Sequence, residues 1–353
     1  MWVCGGEGRK REMNRLIVVA SLALLFLAAC APALAPTLTA TPTPVPTVPP
    51  TATPAPTPTA TPAPTPAPAP TAPVTPPPAP TPLPIEVTKD VPYTSPLQPD
   101  VRARNLDVYA HTGPGPWPVV VVVHGYAFTK ADYRLMSEAI AAQGTVVFTA
   151  DWAAWTPTTR AAEGNGARLR EWAETVTCAV RFARAKAADY GGDPGRVTLV
   201  GHSAGGAVGL GGALGGDGLG PLWDAFASAR GGPPSQVDCL ADGTSAYPDA
   251  FVGYGGAYPM FEFLKEDDLE LWQLASPFAL LGGNPELQVR FIHGEWDTVI
   301  PAEGVELSRQ LLDALAAAGY DATWTTVDAG HQFSPTGPTG ESVVQMILET
   351  ARD

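Results

Sequence analysis

The 353-residue chain sets 21 Lys and Arg against 35 Asp and Glu, a formal net charge of −14. So acidic a surface repels phosphate backbones and anionic headgroups, which excludes nucleic acid as a partner. Of 40 prolines, twenty-two fall between Ala31 and Pro84. That leaves about 270 residues to build a core, enough for one sizeable domain and tight for two.

In chain order, the first feature is Leu16 to Ala29, LIVVASLALLFLAA, apolar except for Ser21 and preceded by Arg9, Lys10, Arg11 and Arg15. It matches the apolar region of a signal peptide and is short for a membrane-spanning helix. Met13 is an alternative start, because Met13-Asn14-Arg15 leads straight into the apolar run. Leu27-Ala28-Ala29-Cys30 resembles the bacterial lipobox. That resemblance implies residues 1–29 are removed and the Cys30 thiol carries diacylglycerol, anchoring an exported lipoprotein to a lipid bilayer on the extracytoplasmic side. The alternative is ordinary cleavage near Ala31 or Ala35 and secretion.

Residues 30–84 then repeat Thr-Pro and Ala-Pro units. Proline fixes φ and disfavours helix in the residue before it, so an extended polyproline stalk is expected. At ~3.1 Å per residue it reaches on the order of 150 Å when stiff. Threonine beside proline also permits O-glycosylation.

From Ile85 to Asp353 strand and helix signals alternate. Leu106 to Tyr109 reads as an early strand, and Pro118 to Val123, PVVVVV, as a central strand buried on both faces. A helix is expected from Asp132 to Gln143 and a strand from Thr145 to Ala150. A longer helix spans Ala167 to Tyr190, with Leu169, Trp172, Val176, Val180 and Ala183 on one face. Gly191-Gly192-Asp193-Pro194 stops it. The strand Arg196 to Val200 leads into Gly201-His202-Ser203-Ala204-Gly205 and another helix. Further strands are expected at Ala250 to Tyr254, Val289 to His293 and Ala322 to Val327. This alternation predicts an α/β fold with a mainly parallel sheet and helices on both faces. Gly209 to Gly232 reads as a helix end followed by a loop or small lid. Tyr258 to Phe278, with Met260, Phe261, Phe263, Leu264 and Trp272, is either a small apolar cap or ordinary helix packing.

Four segments carry the chemistry. They are His124-Gly125-Tyr126 after the central strand, Gly201-His202-Ser203-Ala204-Gly205, His293-Gly294-Glu295-Trp296-Asp297 after another strand, and Gly330-His331-Gln332-Phe333 after the last. Together they resemble the α/β-hydrolase superfamily over Pro118 to Asp353, in its chain order of serine, acid and histidine. The resemblance implies an α/β-hydrolase fold with Ser203 as nucleophile, His331 as base and Asp297 as the acid that orients it. A serine hydroxyl is a poor nucleophile until a base takes its proton, and imidazole titrates near neutral pH. Glu295 and Asp328 are the rival acids. Of the five histidines, His202 lies inside the elbow, and His124 and His293 end core strands, which gives those three structural roles.

An oxyanion needs two convergent N–H donors. One is expected from the Ala204 amide and the second from Tyr126, with Ala127 as the alternative. His-Gly-Tyr-Ala departs from the His-Gly-Gly-Gly form of some esterases and resembles the cutinase-like and dienelactone-hydrolase-like branches. The Tyr126 side chain is placed to line the acyl pocket. Trp152 and Trp155 follow a strand on the same side, with Trp152 as a candidate substrate contact.

Cys178 falls on the helix face opposite the apolar stripe, and an outward free thiol is unusual in an exported protein. A Cys178–Cys239 disulfide accounts for it, closing a loop of about 60 residues worth ~4 kcal/mol in the chain-entropy model. No histidine or third cysteine lies near either, so no metal site is expected. The function expected is therefore serine carboxylic-ester hydrolysis through an acyl-enzyme, with no cofactor and with a small-molecule or polyester substrate. An acyltransferase uses the same triad, and a surface-binding protein on an inactive scaffold is the rival from another class.

Overall fold

The valine run of the central strand does what its composition demands. Val119, Val121 and Val123 enter one hydrophobic cluster and Val120 and Val122 another, all fully buried. A strand with apolar side chains on both faces is stable only where helices cover both sides of the sheet. The computed structural model describes residues 84–96, 104–153, 166–232, 235 and 237–353. The leader, Cys30, the proline-rich stalk and Trp155 lie outside them.

The strands are β1 (Ile85–Pro92), β2 (Thr94–Pro96), β3 (Asn105–His111), β4 (Trp117–Val123), β5 (Val146–Ala150), β6 (Gly192–His202), β7 (Val237–Cys239), β8 (Ala250–Tyr254), β9 (Gln288–Gly294) and β10 (Asp321–Val327). The helices are α1 (Arg134–Ala141), α2 (Ala167–Lys186), α3 (Ala204–Gly215), α4 (Leu219–Ala229), α5 (Leu264–Asp267), α6 (Leu269–Ala275), α7 (Ala302–Ala317) and α8 (Pro338–Arg352). Eight strands form one sheet in the order β1-β3-β5-β4-β6-β8-β9-β10. The β1–β3 and β3–β5 pairs are antiparallel, and every pair from β5 to β10 is parallel.

One face packs Met136, Ile140 and Ala141 of α1 and Val343, Val344, Ile347 and Leu348 of α8 against Val120, Val122, Val200, Val252 and Ile292. The opposite face carries α2, α3 and α7 against Val119, Val121, Leu199, Phe251 and Phe291. β4, β6, β8, β9 and β10 are parallel, so their C-terminal ends share one edge, and the four motif segments meet there.

Several expectations need correction. β1 gave no signal, because its IEVTKDVP is an edge strand with almost every side chain exposed or half-exposed. Gly209 to Gly232 is not a loop: α3 runs to Gly215 and α4 follows at once, burying Leu219, Trp223 and Phe226 at helical spacing. The segment from Tyr258 packs rather than caps, since Tyr258, Phe261, Leu264 and Leu271 all enter the main core. The Tyr258 ring stacks on Phe291 with centroids 4.1 Å apart. Cys178 is not outward either. It is fully buried, because the small β2–β7 ribbon covers that side of α2. It is disulfide-bonded to Cys239, with the two Cα atoms 5.2 Å apart.

Candidate active site

Ser203 joins β6 to α3 with φ 55° and ψ −120°, a conformation L-residues rarely adopt. Three backbone bonds hold it there. Its amide donates to the Tyr254 carbonyl at 3.1 Å, and its carbonyl accepts from the Gly206 and Ala257 amides, each at 2.9 Å. The flanking glycines are required by close approach. A Cβ at Gly201 meets the Gly205 carbonyl oxygen at 2.5 Å, and one at Gly205 meets the His124 carbonyl oxygen at 2.4 Å. Ala204 is the first residue of α3, so its amide has no carbonyl partner within the helix.

His331 lies in the loop after β10. Its Nε2 is 2.9 Å from Ser203 Oγ, and its Nδ1 is 2.8 Å from Asp297 Oδ2. The loop after β9 holds Asp297 by its other oxygen, Oδ1, which accepts the Val299 amide at 2.8 Å and the Ile300 amide at 3.0 Å. Burial pushes the carboxyl up, but the His331 hydrogen bond and these amides outweigh it and hold Asp297 below the usual carboxylate range. An ionised carboxylate only accepts, so Nδ1 of His331 carries the proton and Nε2 offers its lone pair to the serine. The structure thus brings all three sequence-identified residues into one hydrogen-bonded line.

The rival acids point elsewhere. Glu295 is exposed, and Asp328 accepts the Trp296 indole N–H at 2.7 Å. His293 is closer, with Nε2 3.6 Å from Asp297 Oδ2, and burial lowers its pKa.

The His124 segment forms a turn against the nucleophile. The Phe128 amide donates to the Gly125 carbonyl at 3.3 Å, and Ala127 has φ 62°. A Cβ at Gly125 sits 3.1 Å from the Ser203 Cβ, so the Tyr126 and Ala127 amides belong to a turn that adjoins the serine. The Tyr126 side chain is half exposed, as a pocket-lining residue must be. Trp152 requires a correction. It is fully buried, its indole N–H donates to the His124 carbonyl at 2.8 Å, and its ring meets Trp172 edge-on. It supports the turn from beneath and does not meet substrate.

Four residues near the site went unnoticed in the sequence. Gly255, with φ 51°, lies where a Cβ is 3.3 Å from His331 Nδ1 and 3.5 Å from Asp297 Oδ2. Tyr254 donates its hydroxyl to the Gly330 carbonyl at 2.8 Å, and Tyr133 accepts the Gly125 amide at 3.0 Å. Trp296 is 64% exposed beside Asp297. The Gly255-Gly256 pair after a strand was a readable signal of close approach. Tyr133 gave none.

Sheet order, elbow and triad together define an α/β-hydrolase fold. The family model for BD-FAE matches residues 106–219, from β3 through the elbow to the start of α4. A truncated carbohydrate esterase from gut microbiota is 17% identical, with TM-score 0.52, covering 76% of this chain and 97% of that one. A thermophilic esterase from Thermogutta terrifontis, propionate bound, is 20% identical at TM-score 0.52, covering 74% and 92%. Esterase B from Lactobacillus Rhamnosis is 15% identical at TM-score 0.56, covering 76% and 85%. The chain is similar to these in fold. No curated protein matches it.

Proposed function

We propose that this chain is a serine carboxylic-ester hydrolase acting through an acyl-enzyme on Ser203. The observation that carries the reading is the continuous line from Ser203 Oγ through His331 to Asp297, with links of 2.9 and 2.8 Å. Ser203 attacks the ester carbonyl while His331 Nε2 takes its proton. Asp297 keeps the imidazole in the right tautomer and stabilises its positive form. The oxyanion is received by the Ala204 amide and the Tyr126 amide, each donor of this kind being worth about 3 kcal/mol of barrier. His331 then protonates the departing alcohol, and water repeats the sequence on the acyl-serine. The esterases that share the fold support the same chemistry.

The domain works outside the cytoplasm, held by lipid on Cys30 at the end of the proline-rich stalk. The Leu27-Ala28-Ala29-Cys30 segment at the end of the apolar run supports this.

Hydrolysis of p-nitrophenyl butyrate by the full chain and by Ser203→Ala tests the chemistry. Activity that vanishes in the variant is expected. A folded wild type that neither turns over esters nor reacts with a fluorophosphonate sinks the hydrolase reading in favour of a binding protein. Labelling with radioactive palmitate tests the anchor, and label that persists in Cys30→Ser overturns it.

A further inference from the structure

His202, inside the elbow, has its ring packed among Tyr254, His331, Tyr133 and Phe128, with centroids 4.9 to 6.3 Å away. Its Nε2 is 2.8 Å from the His331 carbonyl oxygen. A carbonyl only accepts, so Nε2 carries a proton. Burial first, then the neighbouring His331, pushes the His202 pKa down to about 4, so the ring is neutral and holds just that one proton. Nδ1 is left with a lone pair, and it faces the Tyr133 hydroxyl. Tyr133 therefore donates to His202. Burial raises the phenol pKa well above its ordinary value and keeps it protonated. The same oxygen accepts the Gly125 amide at 3.0 Å.

Every proton in this chain thus has one assignment. The Gly125 N–H donates to Tyr133, the Tyr133 O–H to His202 Nδ1, and the His202 Nε2–H to the His331 carbonyl. One end is the residue before the Tyr126 amide, and the other is the backbone of the base.

We propose that Tyr133 and His202 are positioning residues that tie the oxyanion turn to the His331 loop, holding donor and base in one register. The kinetic consequence rests on the ester-hydrolase reading. Misplacing a catalytic group by an ångström costs on the order of 100-fold. The chain spans two loops that no backbone hydrogen bond joins directly. Tyr254, bonded to the Gly330 carbonyl, fixes the His331 loop to β8 but does not reach the turn.

The full chain carrying Tyr133→Phe tests this. The ring stays edge-on to Phe128 while the Gly125 amide and His202 Nδ1 lose their partner. With p-nitrophenyl butyrate, kcat per fluorophosphonate-titrated site is expected to fall about 10-fold or more while KM stays within about twofold. His202→Gln is expected to do likewise, and the double variant to fall no further than the worse single, since both cut one chain. A Tyr133→Phe kcat per titrated site that stays within twofold, with only the melting point lowered, overturns the proposal. Nitrogen-15 NMR of the imidazoles needs no substrate. A neutral His202 protonated on Nε2 supports the chain, and an Nδ1–H tautomer overturns it. Ester turnover that survives Ser203→Ala instead strikes the hydrolase reading and leaves the tautomer to decide this one.

Discussion

Asp297 spends its two oxygens differently: Oδ2 holds His331 Nδ1 at 2.8 Å, while Oδ1 accepts the amides of Val299 and Ile300. In Asp297→Asn, only the amide oxygen can meet those two backbone donors, so the NH2 group must face the imidazole. It donates where the carboxylate accepted, and the proton moves from Nδ1 to Nε2, where it blocks the approach of the Ser203 hydroxyl. The expected result is a fall in kcat of about 10⁴-fold with little change in KM. A loss below about tenfold means another group orients His331.

The strain at Ser203 yields a second expectation that needs no substrate. With φ 55° and ψ −120°, any side chain at this position is held in a sparsely populated conformation. Such strain costs about 1–3 kcal/mol, and glycine escapes it at an entropic cost of about 0.5–1 kcal/mol. Ser203→Gly is thus expected to be more stable than Ser203→Ala by about 1 kcal/mol, although both are inactive. Calorimetry on the pair decides it, and equal or reversed melting temperatures show that the elbow stores no strain.

The triad was legible because each member sits in a short motif after a strand, and the order of the motifs carries the fold. The central sheet was legible for a similar reason: PVVVVV can only be a strand buried on both faces. What stayed hidden depends on contacts between distant segments. Trp152 follows a strand just as a substrate contact does, and only the His124 carbonyl above its indole shows which way it points. Cys178 looks outward by helical phase, but β2 and β7, far from it in sequence, cover it. Tyr133 and His202 lie 69 residues apart, and no spacing in either neighbourhood betrays their pairing. The α4 pattern Leu219, Trp223, Phe226 was readable, but the glycines around it drew attention to a loop instead.

The disulfide closes a loop with a sequence separation of 61. In the chain-entropy model, removing it by Cys178→Ala with Cys239→Ala costs about 4 kcal/mol. The bond joins α2 to the β2–β7 ribbon, on the far side of α2 from the sheet. The folded fraction is therefore expected to keep kcat within about threefold at 25 °C while its urea midpoint drops sharply. An unchanged midpoint shows that the ribbon is held by its other contacts. These include the Ser95 hydroxyl on Asp238 at 2.9 Å.

Acid sensitivity should report on His202. Its ring is pushed down to about 4 by burial, with His331 and His124 adding to the depression and Asp297 opposing it. The unfolded chain takes up a proton near pH 6.5, whereas the folded chain resists until about pH 4. Stability from this residue is therefore complete above pH 6.5 and is lost as the pH falls through that window. The slope is at most about 1.4 kcal/mol per pH unit, some 3 kcal/mol in all as an order of magnitude. Asp297 and the other carboxylates with lowered pKa values lose stability mainly below this range, so a His202→Gln reference separates the two effects. Urea unfolding from pH 7 to pH 4 is expected to show wild type losing stability faster than the variant between pH 6.5 and 4. Parallel curves mean that His202 takes its proton in the folded state as readily as in the unfolded one. The ring then cannot be the neutral Nε2–H link to the His331 carbonyl near neutral pH.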